Sequence, residues 1–251
     1  MQTTGPRHKG FYILPNLITT ASLFTGFLAI IWAAEGKIEE SAIGILFSAL
    51  MDGLDGKIAR WTNSASEFGL QYDSLADMAA FGVAPAFMVY QWNLEQFGHM
   101  GVAVSFLFAT CGALRLARFN IITHTTPKKF SIGITITASG CTLACLVLFI
   151  PYVPDVLLSA VPSFTLGLTM ALGFLMVSRV RYASFKEYGF IKAHPFSSMV
   201  TAIMGFVLVV SAPRLLGFLI FGGYVLSGVV YTYVWLPRRG KNLPHILKPL
   251  N

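Results

Sequence analysis

Charged residues are scarce in this chain: Asp, Glu, Lys and Arg make up only 12% of its 251 residues. A soluble domain carries about 25%, so this composition excludes an ordinary soluble fold. Cysteine is also rare, and the three present, Cys111, Cys141 and Cys145, lie in apolar segments. Because an odd number of thiols argues against a disulfide framework, we interpret Cys141 and Cys145 as small residues of a membrane helix.

Apolar residues dominate instead, at 55% of the chain with a mean hydropathy of +0.67. Runs of about 20 apolar residues, the length that spans a bilayer, recur from Leu14 onwards. They predict one membrane-embedded domain over residues 1–251, folded as an all-α bundle of about eight transmembrane helices. The first run, behind Arg7 and Lys9, is too long for a secretory signal, and we interpret it as a retained span. The predicted spans are 14–34, 41–61, 67–90, 98–119, 131–151, 157–178, 196–212 and 214–236, the last two being peripheral.

The basic residues are distributed asymmetrically between the predicted loops. Eight spans place both termini on one side, and all 18 Lys and Arg residues except Lys37 and Arg214 fall on that side. Since basic loops remain in the cytoplasm, both termini are predicted to be cytoplasmic. The net charge of +7 then attracts anionic membrane lipids. No nucleic-acid-binding module accompanies this charge, so nucleic acid is not a predicted partner.

Four aspartates interrupt the second and third predicted spans, where each costs roughly 2.5 to 3.5 kcal/mol on insertion scales. At about 100° per residue, Asp52 and Asp55 share a helix face with Gly56, Ala59 and Arg60, within an arc of about 140°. This spacing predicts a polar face on a helix that is otherwise surrounded by lipid or protein.

The third span repeats this arrangement, because Gly69, Asp73 and Asp77 step by four residues and cover about 80°. Ser64 followed by Glu67 predicts a capping box at its start. The two acidic faces are then expected to meet as an antiparallel hairpin. At about 1.5 Å per residue from the turn, Asp52 lies about 13 Å deep and Asp73 about 9 Å deep. The carboxylates therefore gather in a pocket that opens to the cytoplasm.

Four carboxylates without an interleaved His or Cys suit a hard cation, so Mg²⁺ or Mn²⁺ is the predicted cofactor. Gly56 and Ala59 leave room for a diphosphate, and Arg60 can pair with a phosphate. The chemistry indicated is phosphoryl transfer. Taken alone, intramembrane acids are also compatible with a proton relay, an ion path or a structural pair with Arg60.

The run from Asp52 to Asp77 resembles the full signature of the CDP-alcohol phosphotransferases, D-x2-D-G-x2-A-R-x8-G-x3-D-x3-D, at all eight fixed positions. The resemblance implies that Asp52, Asp55 and Asp73 hold two divalent ions and that Asp77 also touches a metal and acts as general base. It further assigns six residues to the binding of CDP-diacylglycerol, namely Gly56, Ala59, Arg60, Gly69, Asn16 and Thr19.

Flanking segments resemble the integral-membrane phosphatidylserine synthases within that family. They are Pro15–Thr19, Phe81–Ala86, Ala113–Asn120 and Met176–Lys186. One departure is that Phe130 to Thr135 lacks the Leu-Pro of the Phe-x-Gly-Leu-Pro stretch often found before the fifth span. The resemblance implies a prokaryotic inner-membrane enzyme, a cytoplasmic active site, a homodimer and L-serine as acceptor.

For serine, we expect the hydroxyl, activated by Asp77, to attack the β-phosphorus of CDP-diacylglycerol as CMP departs. Arg115, Arg118 and Asn120 are the candidate ligands of the serine carboxylate. The two arginines are also compatible with a role as helix-end anchors. Basic residues would equally suit glycerol 3-phosphate, which makes a phosphatidylglycerophosphate synthase the alternative enzyme. A non-catalytic transporter is the alternative from another class, but it leaves the Gly and Arg positions of the signature unexplained.

Overall fold

The computed structural model describes residues 13–62, 66–123, 131–178, 180–182, 213–230 and 232. The regular secondary structure of these residues is helical apart from one pair of two-residue strands, which confirms the all-α prediction. The predicted span 196–212 lies outside the described residues. The α-helices are α1 (Ile13–Ala34), α2 (Ile38–Trp61), α3 (Glu67–Asp77), α4 (Ala84–Val89), α5 (His99–Thr123), α6 (Ile136–Phe149), α7 (Asp155–Leu158), α8 (Val161–Val177) and α9 (Pro213–Val230).

The predicted span 67–90 is a composite helix rather than one regular α-helix. Two π-helical segments flank α4, and short 3₁₀ turns end this region and α6. These segments are Met78–Val83 and Tyr90–Leu94 (π), and Glu95–Phe97 and Ile150–Tyr152 (3₁₀). The first π segment begins directly after Asp77, and such segments are frequent at functional sites.

One helix cap and one helix start differ from the sequence-based expectation. The N-cap of α3 is Ser66, whose side chain accepts a hydrogen bond from Gly69 N at 3.0 Å, whereas Ser64 lies outside the described residues. Helix α6 begins at Ile136 rather than at residue 131, because Thr135 caps it and accepts from Ala138 N. The residues before this cap form β1 (Ser131–Ile132), which pairs antiparallel with β2 (Arg181–Tyr182).

The reversal between α1 and α2 has the geometry of a Schellman motif. Lys37 N donates to Trp32 O at 2.8 Å and Gly36 N to Ala33 O at 3.1 Å, while Gly36 adopts a φ of +78°. A residue without Cβ is favoured there. Farther along the pair, the Ser48 hydroxyl donates to Ser22 O at 2.7 Å. Small polar contacts of this kind join membrane helices at close range.

The packing around α1 corrects the expected hairpin of α2 and α3. Helix α1 packs along α2 and also contacts α3, whereas close backbone contacts between α2 and α3 are few in the described part of the chain. The two acid-bearing helices therefore meet through their carboxylates and share α1 as a packing partner. The acidic faces meet as predicted, but the helices that carry them do not pack along each other, because adjacency in sequence does not fix which helices pack together.

Helix α6 forms the centre of the bundle. Every residue from 138 to 148 is buried, as expected for a helix that is apolar on all sides. Its neighbours are α2, α9 and the π segment that follows Asp77. Gly140 permits one of these contacts, because a Cβ at this position would lie 2.9 Å from Phe81 O.

Large apolar side chains also cover the outside of the bundle. On α2, for example, Ile43, Phe47, Leu50 and Leu54 are between 38% and 57% exposed. Among the described helices, the segments Pro15–Ala34 and His99–Ile121 are long and apolar enough to cross a membrane. Three shorter apolar helices accompany them: Ile136–Tyr152, Val161–Val177 and Arg214–Gly228. An apolar exterior of this extent is typical of a protein in contact with lipid.

The two basic residues that break the predicted charge asymmetry are both ion-paired. Lys37 Nζ lies 2.7 Å from Glu35 Oε2, and Arg214 Nη2 lies 3.2 Å from Glu39 Oε2. The hydrogen bond with Glu35 and its negative charge raise the pKa of Lys37. Because Glu39 is in the first turn of α2, the ion pair with Arg214 joins the start of α9 to the start of α2.

Candidate active site

Three of the four predicted metal ligands converge in the structure. One carboxylate oxygen each from Asp52, Asp55 and Asp73 lie within 4.8 Å of one another. Asp52 and Asp55 come from α2 and Asp73 from α3, so the spacing of three residues on α2 brings both of its acids towards the other helix. Asp55 is only 5% exposed, and the other two are half-buried. The predicted convergence of these residues is confirmed.

Asp55 is held in place by a hydrogen bond from α1. The Thr19 hydroxyl donates to Asp55 Oδ2 at 2.7 Å. Thr19 itself is buried and lies on α1. Its hydroxyl therefore orients a carboxylate of the cluster, a contact that the sequence did not reveal.

Asp77 lies beside the cluster at the end of α3. Its carboxyl group interacts with that of Asp52 and, electrostatically, with Arg115 of α5. The Arg115 guanidinium stacks near Phe119, with Cζ 5.9 Å from the ring centroid. Its buried Nε has no hydrogen-bond partner among the residues that the structure describes. A cationic donor group thus adjoins the acid predicted to be the base.

Gly69 marks a close approach of α3 to α1. A Cβ at this position would lie 3.1 Å from Ser66 Oγ and 3.4 Å from Asn16 Oδ1. A methyl group would therefore crowd both the helix cap and the Asn16 side chain. Asn16 and Gly69, which the sequence assigns to the same binding site, face one another in the structure.

The donor set fits a hard divalent cation. Its members are carboxylates alone, and oxygen ligands are those that Mg²⁺ and Mn²⁺ prefer. Unneutralised, several carboxylates this close together would repel one another strongly, because two of them are half-buried and one is buried. The arrangement is therefore chemically suited to holding a metal next to a phosphate group.

Comparison with known proteins gives this geometry a context. The family model described as CDP-alcohol phosphatidyltransferase matches residues 12–178, a range that includes all four aspartates and most of the 251 residues. The chain belongs to this family. The structure thus shows three aspartates of the CDP-alcohol phosphatidyltransferase signature gathered at one site.

Several curated relatives carry the same printed name, CDP-diacylglycerol–serine O-phosphatidyltransferase. The protein from Helicobacter pylori strain J99 is 42% identical over 177 residues, which cover 70% of this chain and 74% of the relative. That from Methanocaldococcus jannaschii is 33% identical and covers 71% and 77%. That from Bacillus subtilis is 32% identical and covers 70% and 92%.

The remaining predicted site residues of this CDP-alcohol phosphatidyltransferase are distributed unevenly. Ala59 and Arg60 belong to α2, but their side chains lie outside the described residues. Arg118 is exposed on α5. The Asn120 side chain is hydrogen-bonded to α3. Its Nδ2 donates to Gln71 Oε1 and to Ser74 Oγ, each at 3.1 Å.

Gln71 and Ser74 were missed as members of this environment. They occupy variable positions of the family signature, so the motif carries no signal for them. Ser74 follows Asp73 in the sequence, but helical periodicity directs its side chain to a different face of α3. Only the position of α5 shows that it meets Asn120.

Proposed function

We propose that this protein transfers the phosphatidyl group of CDP-diacylglycerol to the hydroxyl of L-serine, forming phosphatidylserine and releasing CMP. The observation that carries this conclusion is the convergence of Asp52, Asp55 and Asp73 within 4.8 Å in a family member whose relatives are named for this reaction. A hard-metal site beside a cationic group is what transfer between a diphosphate and an anionic acceptor requires.

In this proposal Asp52, Asp55, Asp73 and Asp77 hold Mg²⁺ or Mn²⁺, as two ions. When bound, the metal neutralises negative charge on the phosphate oxygens and steadies the leaving group. The Thr19 hydroxyl keeps the Asp55 carboxylate oriented for this task. The hydrogen bond of 2.7 Å from Thr19 supports that role.

The diphosphate of CDP-diacylglycerol is proposed to lie along Gly56, Ala59, Arg60 and Gly69, with Asn16 and Thr19 at the α1 side. The two glycines expose helix backbone to the substrate, and Arg60 supplies a charge-assisted hydrogen bond to a phosphate oxygen. The Asn16 side chain facing Gly69 supports a shared role for this pair.

Asp77 is proposed as the general base. It accepts the proton of the serine hydroxyl as the serine Oγ–phosphorus bond forms and the bond from phosphorus to the CMP oxygen breaks. The position of Asp77 at the edge of the carboxylate cluster, next to Arg115, supports this assignment. In this position, Asp77 has the carboxylate cluster on one side and the acceptor on the other.

Arg115, Arg118 and Asn120 are proposed to bind the serine carboxylate. Arg115 has the strongest support, because it is close to Asp77 and its Nε retains an unused donor among the described contacts. Arg118 is exposed and would attract the acceptor, while Asn120 would act from a position fixed by Gln71 and Ser74.

The whole chain is proposed to be one membrane-embedded domain of eight spans in a prokaryotic inner membrane, assembled as a homodimer. Both termini and the active site would face the cytoplasm. The apolar exterior supports membrane embedding. The Arg214–Glu39 ion pair supports the topology, since it brings the predicted external ends of two helices together.

The decisive experiment measures CMP release from CDP-diacylglycerol by the purified protein with Mn²⁺ or Mg²⁺. L-serine, glycerol 3-phosphate and inositol are compared as acceptors. We expect release to depend on serine and on the metal. Turnover with glycerol 3-phosphate but not with serine would replace the proposal by the phosphatidylglycerophosphate reaction, and no release with any acceptor would end the enzyme assignment.

A further inference from the structure

A network of side-chain hydrogen bonds joins α3 to the end of α5. Asn120 Nδ2 donates to Gln71 Oε1 and to Ser74 Oγ, each at 3.1 Å. Ser74 directly follows Asp73, a member of the carboxylate cluster, in the sequence. Close backbone contacts between α3 and α5 are few in the described part of the chain. Side chains, rather than packed backbones, therefore connect the two helices at this place.

These hydrogen bonds show which end of the Asn120 amide is already in use. An amide side chain has two N–H donors and a carbonyl oxygen that only accepts, and Asn120 Nδ2 bonds to two acceptors. The single hydroxyl hydrogen of Ser74 is donated to Leu70 O at 3.0 Å, whereas Ser74 Oγ and Asn120 Oδ1 are 3.3 Å apart. With respect to the described residues, the Asn120 carbonyl oxygen therefore keeps the capacity to accept from a ligand.

The polarity of this free group selects among ligands. A carboxylate only accepts hydrogen bonds and cannot pair with a carbonyl oxygen, whereas an ammonium group only donates them. Serine carries both groups. Asn120 lies five residues after Arg115 on α5, or about 7.5 Å along the axis, so one helix offers a cation and a carbonyl oxygen. Asn120 is partly exposed and Gln71 is exposed, which makes the network accessible to a water-soluble acceptor.

We propose that Gln71 and Ser74 hold the Asn120 amide with its carbonyl oxygen towards the acceptor, where this oxygen binds the serine ammonium and favours acceptors that carry one. The inference rests on the proposed function and narrows it. Asn120 binds the ammonium end of serine, and the carboxylate is left to the arginines. Glycerol 3-phosphate has no ammonium group to donate to this oxygen. Asn120 is thus a specificity residue, and Gln71 is a positioning residue that acts through it.

Asn120→Leu tests the role of the carbonyl oxygen, because it keeps a side chain of similar shape and removes the polar end. We expect the KM for L-serine to rise about five- to tenfold, as for the loss of one hydrogen bond to a charged group. The control ligand is 3-hydroxypropanoate, which has the hydroxyl and carboxylate of serine but no ammonium. Its inhibition constant against serine should stay within about twofold of that for the unmodified protein.

Asn120→Asp predicts a change of opposite sign. An aspartate carboxylate accepts hydrogen bonds and attracts an ammonium group, but it repels another carboxylate. Gln71 and Ser74 can both turn to donate to it. We therefore expect the KM for L-serine to fall about two- to fivefold. A rise would show that Asn120 binds the serine carboxylate through its N–H groups, which overturns the inference.

Two substitutions of Gln71 test the orientation of the amide. Gln71→Met removes the acceptor for Asn120 Nδ2, so the serine KM should rise about three- to fivefold. Gln71→Glu still accepts from this nitrogen and should restore the KM to within about twofold of the unmodified value. Gln96→Met is the matched control, because the Gln96 amide is exposed and donates to Asn93 O in the turn before α5. This variant should not change the serine KM.

The remaining outcomes separate this inference from the proposed function. An unchanged serine KM in Asn120→Leu would overturn the role of Asn120. An equal rise in the serine KM and in the inhibition constant of 3-hydroxypropanoate would mean that Asn120 only supports the fold of the site, which also overturns it. Absence of serine-dependent CMP release by the unmodified protein would instead reject the proposed function, and the role of Asn120 with it.

Discussion

At the scale of single residues, four chemically identical side chains occupy different surroundings. Asp55 is buried and accepts a hydrogen bond from Thr19, so its carboxylate is fixed. Asp52 and Asp73 are half-buried and complete the cluster of oxygen ligands. Asp77 adjoins the cluster and Arg115. These neighbours, rather than the residue type, support a division into metal ligands and a proton acceptor.

Replacement of Asp77 tests that division. Asp77→Asn keeps the size of the side chain but removes the proton acceptor, so we expect kcat to fall by about 10² to 10⁴. CMP release at saturating substrates measures the effect. Asp155→Asn, at an exposed position in α7, is the control and should retain full activity. Near-normal turnover in Asp77→Asn together with inactivity in Asp52→Asn would exclude Asp77 as the base.

The hydrogen bond from Thr19 to Asp55 predicts a metal-specific defect. Thr19→Val keeps the shape of the side chain but frees Asp55, so the Mn²⁺ concentration for half-maximal activity should rise about 10- to 100-fold. Metal titrations of CMP release measure this shift. Thr25→Val is matched, because the Thr25 hydroxyl bonds only to carbonyls of its own helix in the described structure. Equal metal dependence in both variants would refute the role of Thr19.

At the scale of elements, the helix that carries Asp73 and Asp77 is positioned by close backbone contacts. Gly26 of α1 meets Ala80, in the π segment that follows Asp77, and Gly140 of α6 meets Phe81 in the same segment. Such contacts are possible only where no side chain intervenes. The end of α3 is therefore clamped between two helices, and the active-site geometry depends on this packing.

Gly26→Ala should loosen this clamp. A Cβ at residue 26 would lie 2.7 Å from Ala80 Cα, so a backbone must move, and we expect a loss of about 1 to 3 kcal/mol of stability. Thermal unfolding in detergent and CMP release should both decline. Gly167→Ala, where a Cβ meets nothing within 4 Å, should lower neither, because Ala favours a helix over Gly. An unfolding temperature for Gly26→Ala equal to that of this control would contradict the packing argument.

At the scale of the whole molecule, the distribution of polar and apolar side chains is the reverse of that in a soluble protein. Apolar side chains such as Phe47, Phe106 and Phe174 are exposed on the outside, while carboxylates and an arginine occupy the interior. In water this exterior would cause association, whereas in lipid it contacts acyl chains. The ion-paired ends near Lys37 and Arg214 contrast with the many basic residues predicted at the other end.

Thiol labelling tests the proposed orientation. The three native cysteines are buried and should give little background. In intact spheroplasts, Lys37→Cys should react with a membrane-impermeant maleimide, because the α1–α2 turn is proposed to be external. Trp61→Cys, at a position 92% exposed, should react only after permeabilisation. Labelling of both variants in intact cells would refute the assignment of Trp61 to the cytoplasmic side.

The local features of this protein were determined by its sequence. Apolar run lengths predicted helices, and the starts of α1 and α3 agree with the predicted spans to within one residue. Spacings of three and four residues predicted which acids share a helix face, because every α-helix has the same periodicity. The signature then assigned Asp52, Asp55 and Asp73 to one site, and the structure brings them together.

Contacts between distant segments were decided only by the tertiary structure. The sequence paired α2 with α3, whereas both pack on α1, and it did not reveal the hydrogen bonds from Thr19 to Asp55 or from Asn120 to Gln71. Helical periodicity fixes the direction of a side chain relative to its own axis, but not the neighbour that it meets. That neighbour depends on the order and rotation of helices packed around α6, which no local pattern encodes.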